Sequence, residues 1–361
     1  MATVQTRNVV LLPRITLAVR EYRASRTTGQ GWPDFFCDTL SAMCYSSQIR
    51  AEYKKYVRKW GADISLKQYF QLYWDRRTDA KIKIPKVTDA EFANPENEEE
   101  RKIKELIDEF NAQQAAKFEQ ELFKQKKRLA DAERTLQTKT TKKAIEEKRI
   151  STDKIEWAKD KLVRLRQPEL DAEDARIFPG WYAPVLIAEN GKLVVKPMRY
   201  QCRVEGSPAF NDVKFPGTYN ARRDNLEGFW KKQFGYKHGI LIANAFYENV
   251  SMHKMEGREL SPGEKEQNVV LEFRPQPKQD ILIACLWAHW QAPGQPDLWS
   301  FAAITDEPPA EVAAAGHDRC IIPIKPENLE AWLNPDPGDL KPMYAILDDR
   351  ERPYYEHRLA A

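Results

Sequence analysis

Long apolar runs are absent from this 361-residue sequence, and cysteine is scarce. No segment approaches the roughly 20 consecutive apolar residues that a membrane-spanning helix needs, so we expect no membrane association. The five cysteines have no regular spacing, which excludes a disulfide framework and a CxxC-type metal site. We therefore expect a reducing, cytoplasmic environment in which the thiols stay free.

A strong excess of one charge is also lacking. The 57 Lys and Arg residues nearly balance the 54 Asp and Glu residues, which gives a net charge of +3. Because the chain is not a general polycation, binding to nucleic acid would need a local basic surface. The sequence contains no phosphate-binding Gly-rich loop, no zinc signature and no Ser–His–Asp motif, so we expect neither metal nor cofactor.

Glycine and proline are both missing from residues 96–167. Charged residues, Gln and Ala dominate this segment, and its thinly spaced apolar residues predict long helices with a narrow apolar stripe. One unbroken helix would be about 110 Å long, so we expect a turn at the poor helix formers Thr138–Thr141. The prediction is an antiparallel pair, Asn97–Leu136 and Lys142–Arg166. This hairpin is either a solvated structural insertion or a partner-binding arm, and its mixed charges argue against a phosphate-tracking role.

Short apolar runs separated by Gly and Pro follow Pro168 and predict strands. The expected strands are Ala183–Ala188, Leu193–Pro197, Gly239–Phe246, Val269–Phe273, Ile281–Ala288 and Trp299–Ile304. Asn190-Gly191 predicts a tight hairpin turn. Helical spacing extends over residues 45–75, and further helices are expected at Asn225–Phe234 and Pro326–Leu333. The predicted fold class is therefore α+β, with a curved, mainly antiparallel sheet and a polar tail draped over it.

Met43 directly precedes Cys44, and removal of this Met would leave an N-terminal cysteine. Such a residue carries a free amine and a thiol, with pKa values of about 8 and 8.5. The amine can attack an aldehyde to give a Schiff base, and the thiol can then close a thiazolidine ring. An internal cysteine cannot, because its nitrogen is part of an amide. We therefore expect residues 1–42 to be an extension upstream of a start at Met43, with proteolytic removal and a transit peptide as the alternatives.

Three further motifs follow in order, namely Asn220-Ala221-Arg222, Phe246-Tyr247-Glu248 and His317-Asp318-Arg319. Together with Met43-Cys44, this ordered set resembles the SOS-response-associated peptidase (SRAP) family, whose members capture abasic sites in single-stranded DNA. The similarity covers Cys44 to Gln48 and resumes from about Arg176 to Leu333. The family usually reads Met-Cys-Gly-Arg, whereas Tyr45 and Ser46 follow Cys44 here, so the arginine expected near a bound phosphate is missing.

The resemblance implies a catalytic set of Cys44, Asn220, Glu248 and His317. Cys44 is then the nucleophile, and His317 moves the proton that frees the sugar aldehyde, since imidazole titrates nearest neutrality. Glu248 accepts a proton from the Cys44 amine, and Asn220 holds the sugar or the cysteine backbone. The same set would also hydrolyse the peptide bond before Cys44, the thiol-peptidase activity behind the family's name.

The resemblance also implies a DNA-binding surface. Its expected members are Arg222, Arg223, Thr305 and Arg319, the arginines meeting phosphates that position the strand without reading its sequence. One or two aromatic residues of the Phe210–Phe215 loop are expected to stack on bases. The expected partner is single-stranded DNA containing abasic sites, and the expected state is a monomer. A protein partner at the hairpin, 96–167, is a further possibility.

The expected organisation is one SRAP-like domain interrupted by the hairpin. Its expected parts are an extension at 1–42, domain segments at 43–90 and 169–340, the insertion at 91–168 and the tail at 341–361. The expected function is an abasic-site sensor of the bacterial cytoplasm, associated with the nucleoid on damage. It forms a covalent thiazolidine cross-link through Cys44, with peptidase or lyase activity. The alternative is a non-enzymatic scaffold in which Cys44 stays internal and the hairpin recruits a partner.

Overall fold

The computed structural model describes residues 46–49, 56 and 59–360. Within this part of the chain, a large sheet carries short helices on its flanks and a long helical hairpin. The α-helices are α1 (Leu66–Arg76), α2 (Lys86–Ala90), α3 (Glu98–Thr138), α4 (Lys142–Arg166), α5 (Asn211–Lys214), α6 (Met252–Met255), α7 (Ala310–Ala314), α8 (Leu329–Leu333) and α9 (Lys341–Asp348).

The strands of the described residues join into one twelve-stranded sheet. They are β1 (Ser46–Ile49), β2 (Asp63–Ile64), β3 (Arg176–Ile177), β4 (Tyr182–Glu189), β5 (Lys192–Tyr200), β6 (Asn220–Arg222), β7 (His238–Ser251), β8 (Asn268–Gln276), β9 (Ile281–Trp290), β10 (Leu298–Asp306), β11 (Cys320–Ile321) and β12 (Tyr354–Leu359). The main path runs β11-β10-β5-β4-β7-β1-β3, and β7 pairs also with β8 and β9. Most pairs are antiparallel, which confirms the predicted α+β class.

The sheet separates two apolar cores. Alternate side chains of β7 point to opposite faces, as the two-residue repeat of a strand requires. Ile240 and Ile242 pack into one core with Trp332 and the root of the hairpin, whereas Leu241 and Ala243 pack into the other. β7 therefore lies inside the sheet with both faces buried, and its strand pairs fix the residues near its C-terminal end.

The predicted strands and the β-hairpin are confirmed. Asn190 (φ 53°) and Gly191 (φ 74°) both have positive φ, as the tight turn between β4 and β5 requires. The helical hairpin is also confirmed, since α3 and α4 differ from the expected bounds by at most two residues. Asn97 and Thr141 cap the two helices by accepting backbone N–H groups, at 2.8 Å and 3.1 Å.

Three sequence-based expectations are wrong. Residues 46–49, predicted as helical, form β1, because they are buried between β3 and β7 and complete the ladder of both. Residues 226–236 form consecutive turns instead of a helix, because the Asn225 side chain accepts the Phe229 N–H at 3.1 Å and closes a local turn. The expected draped tail contains α9 and β12, and β12 pairs with β8 over six residues.

His238, at the start of β7, is a buried histidine that the fold keeps neutral. It stacks on Phe234 and Trp332. Its Nδ1 donates to the Trp332 carbonyl at 3.0 Å, and its Nε2 accepts the Gly235 amide at 2.9 Å. A protonated ring would turn this second contact into two opposed N–H groups. Burial lowers the pKa of His238 to about 3.

We expect acid to destabilise the fold through His238. Below the ordinary imidazole pKa of about 6.5, the unfolded chain binds a proton that the folded chain excludes, so stability falls as the pH falls. The contribution is about 1.4 kcal/mol per pH unit between roughly pH 6 and pH 4. The free energy of unfolding, measured with urea at several pH values across this range, should depend less steeply on pH for His238→Gln than for wild type. The carboxylates contribute equally to the pH dependence of both proteins. Identical slopes would contradict the assignment.

Candidate functional site

Cys44, the expected nucleophile, lies outside the described residues. Ser46, two positions after it in the sequence, begins β1 and pairs with Tyr247 of β7. Tyr247 directly precedes Glu248, the expected proton acceptor. The pairing therefore brings the strand that follows Cys44 alongside the Phe-Tyr-Glu motif.

Glu248 is a fully buried carboxylate near the C-terminal end of β7. It lies in register with Leu271 of β8, and the preceding Phe246 stacks on Phe273 at 5.0 Å between ring centroids. A carboxylate at the end of a strand is ordinarily solvated. Burying a carboxylate costs free energy because the charge loses its contact with water. Ionisable groups that are buried in this way often belong to functional sites.

His317 contacts Glu248. Its Nε2 lies 3.1 Å from Glu248 Oε2, and both side chains are completely buried. The contact is an ion pair when the imidazole is protonated. On the other side of the ring, Nδ1 lies 2.7 Å from the Arg319 carbonyl oxygen. Glu248 and His317, predicted from separate motifs, therefore meet in the fold.

These contacts define the protonation of the pair. A carbonyl only accepts, so the 2.7 Å contact assigns a proton to Nδ1. A longer contact of 3.4 Å with the Arg319 amide would need the other tautomer. We assign the proton from the contact with the carbonyl because it is shorter. With Nδ1 protonated, a neutral ring would face Glu248 with a lone pair, and two acceptors at 3.1 Å repel. One proton therefore belongs to the pair.

Burial lowers the pKa of His317, and the Arg319 carbonyl and the Asp318 carboxylate oppose this effect. A lowered pKa makes the imidazolium a stronger acid than free imidazolium. Because the neighbouring Glu248 can share the proton, the pair can release and recover it without contact with bulk water. This is the behaviour needed for general acid–base work at neutral pH.

Gly316 sets the position of His317. Its φ is +95°, and an added Cβ would lie 3.0 Å from the Cβ of Lys254 in α6. Gly316 is therefore required both by backbone conformation and by the close approach of α6.

Gly316→Ala should destabilise the protein by about 1–3 kcal/mol and displace His317. Thermal unfolding measures the loss of stability, and the rate of cross-linking to an abasic oligonucleotide measures the displacement of His317. Gly263→Ala is the matched control, because Gly263 has a similar φ of +85° and nothing within 4 Å of its added Cβ. If both variants lose the same activity, the contact with α6 does not position His317.

Asn220 and Thr305 lie on neighbouring parallel strands. Asn220 of β6 is in register with Ala303 of β10, and Arg222 with Thr305. Asn220 is buried, and its Oδ1 lies 3.5 Å from the Tyr200 hydroxyl. Thr305 is fully buried, and its hydroxyl makes no hydrogen bond within the described part of the chain. Such a hydroxyl remains available for a bound group.

The three arginines expected to bind DNA differ in their surroundings. Arg222 is exposed and pairs with Asp224 at 2.5 Å. Arg223 pairs with Asp306 at 3.0 Å and with Asp348 at 2.5 Å. Arg319, half-buried, follows directly on Asp318 and precedes β11. Arg222 and Arg223 would therefore have to exchange or share carboxylate partners in order to contact phosphate.

Arg176 of β3 is a candidate that sequence reasoning did not identify as a site residue. Its Nε donates to the Ser46 hydroxyl at 2.9 Å, and its guanidinium lies 3.9 Å from the centroid of the Tyr247 ring. Ser46 occupies the position where the similarity leads us to expect arginine. No local motif marks Arg176, because only the pairing of β3 with β1 brings it there.

Arg176 also lies on the wall of a cavity of about 860 Å³ between the hairpin root and the sheet. The wall includes basic and aromatic side chains, among them Lys83, Arg164, Phe178 and Trp181. Carboxylates also line it, and one of them, Glu173, pairs with Arg164 at 2.6 Å, so the wall carries both signs of charge.

The Phe210–Phe215 loop exposes its apolar side chains. Phe210, Val213 and Phe215 are 64%, 86% and 51% exposed. The loop is nevertheless anchored, because Asp212 pairs with Arg199 and Arg203 at 2.8 Å and 2.5 Å. Exposed apolar side chains on an anchored loop are typical of a binding surface.

Comparison with known proteins identifies the family. A sequence model of the SOS response associated peptidase (SRAP) family matches residues 133–358, more than half of the chain. The chain belongs to the SRAP family. The matched region contains Asn220, Glu248 and His317, whereas Cys44 and β1 precede it.

Membership of the SRAP family supports a role associated with DNA damage, with a peptidase-like or DNA-processing activity. No curated protein matches the chain. The described helices of this SRAP protein include none that is long and apolar enough to cross a membrane.

Solved structures similar to this SRAP protein share little sequence with it. A protein from Bordetella bronchiseptica is 16% identical with a TM-score of 0.40, and the match covers 52% of this chain and 87% of that one. A protein from Bacteroides thetaiotaomicron is 14% identical with a TM-score of 0.42, covering 55% and 82%. A phage-related protein from Bordetella bronchiseptica is 16% identical with a TM-score of 0.39, covering 54% and 85%.

Proposed function

We propose that this SRAP protein captures the aldehyde of an abasic site in single-stranded DNA through an N-terminal Cys44. The observation that carries the proposal is the buried Glu248–His317 pair, with Nε2 and Oε2 3.1 Å apart. Glu248 directly follows Tyr247, which pairs with Ser46 of β1. Ser46 is only two residues from Cys44 in the sequence. An acid–base pair and an aminothiol are the groups that thiazolidine formation needs.

The proposed reaction has three steps, namely opening of the sugar ring, formation of a Schiff base and closure of the thiazolidine ring. The abasic sugar loses the proton of its O1′ hydroxyl and gains one on O4′, which breaks the C1′–O4′ bond and frees the aldehyde. The Cys44 amine adds to C1′, and the resulting carbinolamine loses water to give the Schiff base. The Cys44 sulfur then bonds to the same carbon, the π bond of the Schiff base breaks, and the thiol proton passes to the nitrogen as the ring closes. One water is released, and no oxidant or reductant is consumed.

The pair's single proton fits these steps. Because burial lowers the pKa of His317, its protonated form readily gives a proton to O4′. Glu248 accepts the proton that the attacking amine loses and returns it to the departing water. The buried Thr305 hydroxyl and Asn220 supply hydrogen bonds for the sugar.

Strand binding is supported by charge and aromatic surface. Arg176, held at Ser46 and Tyr247, supplies a cation where Ser46 replaces the expected arginine. The exposed Phe210 and Phe215 offer faces on which bases can stack, at about 1–3 kcal/mol per base.

A second activity uses the same groups. Hydrolysis of the peptide bond between Met43 and Cys44 would release the amine on which the cross-link depends, and the family's description as a peptidase favours it. In this proposal the chain prepares its own nucleophile.

The test joins intact-mass analysis with cross-linking. Protein purified from its native host should begin at Cys44 and should form a heat-stable adduct with an abasic oligonucleotide, and this adduct should be lighter than the sum of the two by one water. A chain beginning at Cys44 that forms no adduct would overturn the proposal. A mature chain that retains residues 1–43 would instead favour the scaffold alternative.

A further inference from the structure

The helical hairpin segregates its charges along its length. In residues 98–123, the first part of α3, eight acidic residues outnumber four basic ones. In residues 124–143, which span the end of α3, the turn and the start of α4, eight basic residues face two acidic ones. The hairpin has nearly balanced charge only when the whole segment is counted together. Its far end, which we call the tip (residues 124–143), is strongly basic.

The acidic residues of the tip are already neutralised. Asp131 pairs with Arg134 at 3.0 Å, and Glu133 pairs with Lys148 at 3.2 Å. Six exposed lysines of the tip make no ion pair in the part of the chain that the structure describes. They are Lys124, Lys126, Lys127, Lys139, Lys142 and Lys143.

Hairpin residues nearer the sheet behave differently. There, Lys104 pairs with Asp108 at 2.5 Å and Arg77 of α1 pairs with Glu109 at 3.3 Å. Near the root, carboxylates outnumber the basic residues, whereas at the tip the exposed lysines outnumber the carboxylates. A surface of uncompensated lysines attracts a polyanion, and the attraction weakens as salt is added.

The tip projects far beyond the core residues that anchor the hairpin. Ile103, Leu106 and Ile107 fix α3 in the core, and α3 continues to Thr138. At 1.5 Å per residue, the end of α3 is about 45 Å beyond Ile107. This reach exceeds one turn of duplex DNA, about 34 Å.

The lysines also surround a groove. Lys124, Lys127 and Lys143 line a groove of about 540 Å³ between α3 and α4, together with Asp131 and an ion pair of Arg128 with Glu147. The capped N-terminus of α4 opens beside it, where Thr141 holds only the Ala144 amide. Basic side chains from two helices thus converge on one surface.

We infer that the tip binds the phosphate backbone of DNA at a second contact, separate from the nucleotide held at the candidate site and more than one helical turn beyond the core residues that anchor α3. The inference rests on the proposed function for the location of the first contact. The tip holds the duplex that flanks a single-stranded gap, by charge alone and without reading sequence. The hairpin therefore extends the binding footprint beyond the single strand.

Direct binding measurements test this inference without requiring chemistry at Cys44. Two labelled, undamaged probes are compared by fluorescence anisotropy, a single strand of about 10 nucleotides and the same strand joined to a duplex of about 20 base pairs. Wild-type protein should bind the joined probe more tightly. The quadruple variant Lys124→Gln, Lys127→Gln, Lys139→Gln and Lys143→Gln should lose this preference, with roughly 10- to 100-fold weaker binding of the joined probe at low salt.

The salt dependence gives a second readout. Each phosphate contact removed lowers the slope of log K against log salt by about 0.9 for duplex DNA. The slope of the variant should therefore fall by roughly 2 to 4 for the joined probe. The short probe should show no change in slope.

A matched control removes the same charge from elsewhere in the hairpin, with Lys102→Gln, Lys117→Gln, Lys154→Gln and Lys159→Gln. These lysines are exposed and make no ion pair in the described residues. The inference is overturned if wild type binds both probes equally, or if the control loses as much affinity as the tip variant. Cross-linking of a short abasic strand tests the proposed function separately, because the tip variant should retain it fully.

Discussion

Cys44→Ser should reduce the heat-stable adduct with abasic DNA by at least about 100-fold. In a variant produced so that it begins at residue 44, serine keeps the N-terminal amine and can still form a Schiff base with the aldehyde. Its hydroxyl is a poor nucleophile at neutral pH and does not close the ring that protects the adduct. Borohydride, which reduces Schiff bases, should therefore trap the variant on DNA while heating without borohydride releases it. Gel electrophoresis of labelled DNA measures both products.

Two controls accompany this variant. Cys202→Ala removes a thiol that burial makes inert, since its pKa is raised to about 12, and it should leave the adduct unchanged. A chain that retains an uncleavable extension before Cys44 should form neither adduct nor trapped Schiff base, because its nitrogen is an amide. An adduct from Cys44→Ser at the wild-type rate would remove Cys44 from the mechanism.

The second large effect concerns Glu248 and His317, whose changes should separate chemistry from stability. Glu248→Gln keeps the shape of the side chain and offers an amide N–H to the lone pair of His317 Nε2. We expect stability to change by no more than about 1 kcal/mol and the cross-linking rate to fall by about 10²- to 10⁴-fold. His317→Ala should be as slow, and it should also cost about 3–5 kcal/mol, because it leaves a buried carboxylate without its imidazole.

Single-turnover cross-linking and urea unfolding measure the two quantities on the same preparations. If the pair acts as one unit, the double variant should be no slower than the slower single variant. Multiplicative losses would mean that the two residues act in separate steps. Anisotropy with undamaged single-stranded DNA is the control, since neither change should weaken strand binding more than about threefold.

Much of the fold follows from the sequence. The segment without Gly or Pro predicted both hairpin helices, because local composition is sufficient where helices pack mainly on each other. Local sequence patterns gave the wrong secondary structure where pairing with a distant strand determines the conformation. Residues 46–49 carry helical spacing, yet pairing with β3 and β7 makes them a strand. The pairing of β12 with β8 was likewise invisible, since strand partners 80 residues apart leave no local signal.

The site shows the same division. Motif order pointed to Glu248 and His317, and their contact at 3.1 Å follows from the paths of β7 and of the segment before β11. Arg176 was missed because its contact with Ser46 joins residues 130 positions apart. The acidic partners of Arg222 and Arg223 were also unforeseen, since Asp306 and Asp348 reach Arg223 from β10 and α9.

The pairing of β1 with β7 has a consequence for the timing of synthesis. Ser46 must wait for Tyr247 to leave the ribosome before its strand can dock, and His317 emerges later still. At about 5–20 residues per second, the two ends of the site are separated by tens of seconds. We therefore expect the nascent chain to carry its cysteine without an acid–base partner, so that newly made protein becomes competent for capture only when it is nearly complete.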